Sequence, residues 1–430
     1  MEGNAAVTAA VSRPRPFRCC IPPHHAAPRS PKEGRRPLHF PAFPAAILCL
    51  CALLSGCTLL RQDPTPGRTK LASPLVSIPA RIVTNVLIVE VNPGRNETWR
   101  FLVDTGSSVT VVSPEFAERF GIAAPAATLP QVNVRSASGE NATLRAVSVK
   151  RIILGDAQFD RVPALVYDFS GLSAHFGEKI DGVLGFPIFR QTILTLDYPH
   201  NRILLSPTGG AATLRPGSRI DFDTVTKTPL IPITLDGQTL VALIDSGSDG
   251  GLHLNTVGLK TTFTYGPVPG GIITTLTGER PQSIGRLAGT LRLGVYELKR
   301  PIIDLTDELS SIGGAILRNF VVSFDQVRGD VSFFRESSAP FTPPPQRSTG
   351  MSFNRTPAYW KVAAVIPGSP AESAGVTAGD LVIRIDGVPV SEWSLQRFET
   401  CVADAGSMDF TFLNGVVETT LAVRVYPLVP

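Results

Sequence analysis

One stretch of this chain is written twice. Leu102–Ser108 reads LVDTGSS and Leu243–Asp249 reads LIDSGSD. In both, an apolar run delivers a single Asp into a Gly-containing turn. The agreement continues downstream in the same order. Gly139-Glu140 answers to Gly278-Glu279, and Leu154-Gly155 and Leu293-Gly294 follow at equal intervals. LGFPIFRQTILTLD (Leu184–Asp197) answers to IGGAILRNFVVSFD (Ile312–Asp325). Four ordered matches mark an internal repeat, so the chain must fold into two homologous lobes, residues 76–206 and 218–335. With 38 Gly, 38 Pro and 7% aromatic residues, short strands and turns are expected over long helices. Leu235-Asp236-Gly237-Gln238 is a hairpin signal. A short helix is predicted over PEFAERF, with Ser113 as N-cap and Gly121 as stop.

The two Asp-Thr/Ser-Gly turns, each followed by a later Gly after an apolar pair, resemble the aspartic protease superfamily of pepsins and retropepsins. The resemblance spans residues 76–335. It implies a mainly β fold: two homologous retropepsin-like β-barrel lobes forming one bilobal protease, monomeric and self-contained. It also implies an aspartic endopeptidase with Asp104 and Asp245 as catalytic dyad. Close carboxylates share a proton, so one acts as base on water and the other as acid, with no metal and no cofactor. By the same resemblance, Thr105 and Ser246 bond across to the opposite loop, and Ser107 and Ser248 bond the outer carboxylate oxygens. Gly106 and Gly247 let backbone approach the acids, and Gly185 and Gly313 pack beneath the loops. Ser138, Gly139, Thr277 and Gly278 mark the flaps, neither of which carries a Tyr.

Two departures support a competing reading, a non-catalytic envelope peptide-binding or scaffold protein with a degenerate groove. Asp249 follows the second motif, and Ser311 stands where an apolar residue precedes Gly313. His175, His200 and His253 are isolated in sequence and read as surface or core residues. Cys401 reads as a buried apolar Cys.

After a Pro-rich linker, 336–347, the stretch VIPGSPAESAGVTAGDLVIRIDGVPV (Val365–Val390) resembles a PDZ domain of the bacterial periplasmic-protease type. The expected small α/β domain covers 348–426. Gly350, Met351, Ser352 and Phe353 are its implied carboxylate loop, and Leu395 and Phe398, on a helix over 395–403, its opposite wall. Its implied ligand is a peptide C-terminus added to a sheet edge. Met351 and Phe353 also read as ordinary core.

The N-terminal region is an address. Residues 1–34 read as an unstructured extension, 35–56 as a signal peptide, and 57–75 as a tether. Leu54-Ser55-Gly56-Cys57 resembles the lipobox of bacterial lipoproteins, with Cys57 as the lipidated residue. The expected place is the bacterial cell envelope, anchored by lipid, facing the periplasm from the outer membrane. The net charge of +4 is concentrated here: residues 1–56 hold seven basic and two acidic side chains, leaving the rest near −1. That balance excludes a nucleic-acid partner and leaves a peptide or protein substrate.

Overall fold

The computed structural model describes residues 65–94, 97–122, 131–135, 141–209, 217–225, 227–274 and 279–430. The extension, the signal peptide, Cys57 and the flap tips Ser138, Gly139, Thr277 and Gly278 lie outside the described residues. The chain is mainly β, as expected.

Each lobe is centred on the strand that delivers its Asp. In lobe 1, Trp99–Asp104 runs parallel to Gly182–Gly185, with Asp104 opposite Gly185. In lobe 2, Gln238–Ile244 runs parallel to Ser311–Ile312, with Ile244 opposite Ile312. The strand leaving each loop returns antiparallel on the far side, Thr110–Val112 in one lobe and Leu252–Leu254 in the other. The predicted hairpin forms at Asp236-Gly237, both at positive φ. The predicted helix spans Pro114–Phe120, where Ser113 Oγ accepts from Phe116 N–H at 3.2 Å.

The lobes are joined behind the cleft by continuous hydrogen bonding. Thr192–Asp197 of lobe 1 pairs antiparallel with Val321–Asp325 of lobe 2. Thr195 faces Ser323 there, with their hydroxyls 2.8 Å apart. These two residues are equivalent in the repeat, so a pseudo-twofold axis passes between them. Phe186 and Phe324 pack at 5.3 Å nearby, and one apolar core runs through both lobes.

Three boundaries differ from expectation. Arg68–Leu71, assigned to the tether, pairs with Ala157–Asp160 and seats Leu71 on the lobe 1 core. Alternating RTKL supplies one inward apolar side chain and a free backbone edge, which suffices for a strand. The linker is pinned as well. Phe341 packs on lobe 2 and its backbone bonds Glu297 and Lys299. Buried Arg286 donates to the carbonyls of Pro343 and Pro344. Gln346–Ser348 pairs with Tyr426–Val429 in a separate two-stranded sheet, so strand structure continues past residue 426.

The C-terminal module has strand Met351–Arg355 at one end of its main sheet and helix Leu395–Asp404. Phe353, Trp360, Phe398 and Phe410 form its aromatic core. The edge strand packs against the lobe 1 helix Ser170–Phe176. Leu395 joins the apolar cluster of lobe 1 that includes Phe169 and Phe176. Lobes and module belong to one compact unit. Among the described residues, no helix is long and apolar enough to cross a membrane.

Candidate active site

The cleft between the lobes holds about 1350 Å³ and is lined by both motif Asp residues. Each lies at the end of its strand, in a loop that leans on the other. Thr105 Oγ1 donates to Ile244 O at 2.6 Å, and Ser246 Oγ donates to Val103 O at 2.8 Å. The N–H of Thr105 donates to Ser246 Oγ at 3.0 Å, and the N–H of Ser246 to Thr105 Oγ1 at 3.1 Å. Four buried hydrogen bonds, reciprocal under the pseudo-twofold, lock the loops together. The crossing predicted for these hydroxyls is present.

The glycines explain themselves by contact. A Cβ on Gly106 would come within 2.6 Å of Asp245 Oδ1, and one on Gly247 within 2.4 Å of Asp104 Cγ. Each glycine is therefore the surface on which the other lobe's carboxylate rests. The N–H groups of Gly106 and Ser107 donate to Asp104 Oδ1 at 2.8 and 3.0 Å, and that of Gly247 to Asp245 Oδ1 at 3.0 Å. Beneath the loops, a Cβ on Gly185 would strike Val109 O, and one on Gly313 would strike Gly250 O. One expectation is corrected. Ser107 Oγ donates to Val109 O, and Ser248 Oγ accepts from Gly250 N–H, so these hydroxyls brace their own loops rather than the carboxylates. The turn is tight enough that the nearest acceptor or donor is backbone.

The two carboxylates are brought together across the paired glycines, and each acts on the other's ionisation. Burial and the negative charge of Asp245 push Asp104 well above the ordinary carboxylate range, against its two backbone donors. Burial also raises Asp245, but there the His253 ring opposes it by favouring the charged form. The pair is thus electrostatically uneven.

None of the three histidines is isolated in space. His253 Nδ1 lies 3.1 Å from Ser311 Oγ and its Nε2 3.6 Å from Asp304 Oδ2. Ser311 is polar because a histidine faces it. His175 Nε2 lies 3.5 Å from Asp249 Oδ2, linking the lobe 1 helix to the second loop. Burial works against ionised Asp249, but His175, with help from His253 and Thr84, holds its carboxyl below the usual range. These partners are far apart along the chain, so spacing carried no sign of them. The third histidine, His200, bonds Asp197 at 2.6 Å on the outer surface of lobe 1. No group of three or more His, Cys, Asp or Glu among the described residues is arranged to hold a metal.

The C-terminal module reaches this cleft. Glu399, on its helix, lines the cavity, open to water yet crowded on most sides. That crowding and the charge of Asp249 push it up to about 7, against Arg355, His175 and Arg318. Burial pulls Arg355 down to about 10. In the expected carboxylate loop, Gly350 sits at φ +87°, where a Cβ would meet Ser369 Oγ at 2.4 Å. Its N–H is taken by Ser348 Oγ at 2.9 Å. Met351 and Phe353 are buried in the module's core, as is Phe398, and Leu395 faces lobe 1. Of the sequence-predicted residues, the dyad and its supports converge on one point. The module's loop residues do not join them: Ser352 Oγ lies against Gly271 on strand Phe263–Thr274 of lobe 2, and the strand edge is covered by the lobe 1 helix.

Residues 87–188 match a family model described as aspartyl protease, and residues 361–407 match one described as PDZ domain. A search of curated proteins gave no match to the sequence. The chain therefore carries an aspartyl protease family domain and a PDZ domain, the latter a module that binds peptides.

Proposed function

We propose that the protein is an aspartic endopeptidase whose dyad is completed within one chain by Asp104 and Asp245. The observation that carries this is two buried carboxylates brought together on reciprocally locked loops. Burial next to a like charge keeps one proton on the pair. The pair titrates as a unit, and His253 beside Asp245 tilts the shared proton toward Asp104. In the reaction, ionised Asp245 takes a proton from water as its oxygen attacks the scissile carbonyl carbon. Asp104 gives its proton to the carbonyl oxygen. The tetrahedral intermediate then collapses with proton transfer to the amide nitrogen, which breaks the C–N bond and restores the shared proton. The uneven fields on the two acids match these unequal roles.

The PDZ domain recruits or positions peptide for this cleft, a role supported by Glu399 and the linker forming part of its wall. The lipobox-like Leu54–Cys57 supports an envelope location, with the protein tethered through lipid on Cys57 and working as a monomer.

Mass spectrometry of a peptide library incubated with purified full-length protein, from acid to neutral pH, tests the reading. Cleavage lost in both Asp104→Asn and Asp245→Asn is the expected result. Full activity in both variants would rule the mechanism out, and no cleavage by the unaltered protein would leave a binding groove in its place.

A further inference from the structure

The pseudo-twofold gives each residue of one cleft wall a counterpart in the other, and the counterparts differ in chemistry. In lobe 1, Val111 sits between Val183 and Leu165. In lobe 2, His253 takes the same place between Ser311 and Asp304. All six line the cleft. The lobe 1 trio belongs to an apolar cluster. The lobe 2 trio is a polar network, extended by Arg280, whose Nη2 donates to Asp304 Oδ2 at 2.8 Å.

The contrast spreads to the next strand. Leu165 faces Ala146, and Asp304 faces Ile284. Counting back along the same faces, Leu144 corresponds to Gln282 and Ala142 to Arg280. These four also line the cleft. A half-buried polar network is expensive where apolar residues would pack, and lobe 1 shows that apolar residues do pack in this position. Asp304 is 5% exposed, and His253 and Arg280 offset part of the cost of burying its carboxylate.

We infer that the cleft reads the two sides of the scissile bond differently: an apolar side chain against lobe 1, and a carboxamide side chain, Asn or Gln, against lobe 2. This rests on the peptidase reading above. The axis relates Asp104 to Asp245, so a bond cleaved between them has one flanking side chain on each wall. The side-chain class follows from the atoms on offer. Arg280 and His253, 24% and 16% exposed, bring N–H groups to the cleft wall, and Ser311 and Asp304 bring acceptor oxygens. A carboxamide, which both accepts and donates, can join such a network. A carboxylate would add a negative charge beside Asp304, Asp249 and the dyad, and an aliphatic group would offer the network neither donor nor acceptor.

The test is cleavage-site profiling of full-length protein with peptides varied on both flanks of the cut. Asn or Gln on one flank should exceed Leu by roughly tenfold or more in kcat/KM, as expected where buried polar groups would otherwise go unpaired. The triple variant His253→Val, Asp304→Leu, Ser311→Val copies the lobe 1 trio and should turn the preference toward Leu. Arg280→Leu, at a more exposed position, should weaken it even if the triple variant does not fold, which a melting curve reveals. Dyad-dependent cleavage with aliphatic, acidic or basic residues preferred on both flanks would overturn the inference and leave the peptidase standing. No cleavage of any peptide would remove both.

Discussion

The two lobes share a frame and differ in what they do with it. In both, an apolar strand ends in Asp, a glycine supports the opposite acid, and a second glycine passes under the loop. Around that frame, lobe 1 packs Val111, Leu165 and Val183, whereas lobe 2 places His253, Asp304 and Ser311. Where the repeats agree, the residues make the dyad. Where they diverge, the residues distinguish one acid, and one wall, from the other. A duplicated site can thus keep symmetric architecture while its chemistry becomes directional.

The largest effect tests the shared part. Asp104→Asn and Asp245→Asn should each lower peptide cleavage by roughly 10²–10⁴-fold, the range for losing general acid–base catalysis. A tenfold gap between them in rate assays would show that the lobes contribute unequally even here. Next come the crossed hydroxyls. Thr105→Val and Ser246→Ala should each cost about 1–3 kcal/mol in urea unfolding, because each strands buried partners. Their reciprocal geometry predicts similar values, and a large difference would break the symmetry.

His253→Gln addresses the unshared part. The ring favours ionised Asp245, so replacing it raises the dyad's lower ionisation. The acid limb of the pH–rate profile should then move to higher pH. An unmoved limb would place the asymmetry elsewhere. Glu399 acts where lobe 1 and lobe 2 meet the PDZ domain. Its folded value of about 7 lies above the ordinary 4.5, so its contribution is complete below 4.5 and fades as pH rises through 7. Limited proteolysis across 336–345 should be faster at pH 8 than at pH 5, and Glu399→Gln should flatten that dependence. The smallest effect falls on the axis itself. Ser323→Ala removes the hydroxyl contact with Thr195 and should cost about 1 kcal/mol in thermal or urea unfolding.

The paired acids were legible because each sits in a short contiguous pattern, and duplication writes that pattern twice. Ser113 and Asp236-Gly237 were legible because caps and tight turns depend on local φ, ψ and local donors. The roles of His175, His253 and Asp249 were not, since their partners come from other elements and leave no spacing to read. Ser311 looked like decay in sequence and proves to be one side of a polar contact. Ser107 and Ser248 were placed on the wrong acceptors, because a hydroxyl's choice between carboxylate and backbone turns on fractions of an ångström. Strand Arg68–Leu71 and the pinned linker were missed for a related reason. Short polar or Pro-rich segments take structure from the edge they meet, not from their own periodicity.

Gly106 and Gly247 bear directly on Asp245 and Asp104, so the spacing of the acids is fixed by how the lobes meet rather than by side-chain rotamers. The acid pair is a seam, with no version of itself inside either half. A ligand or substitution that wedges the rear sheet at Thr195 and Ser323 would therefore part the two acids without touching the cleft. On the peptidase reading proposed above, an inhibitor could be aimed at the back of the molecule as well as at its mouth.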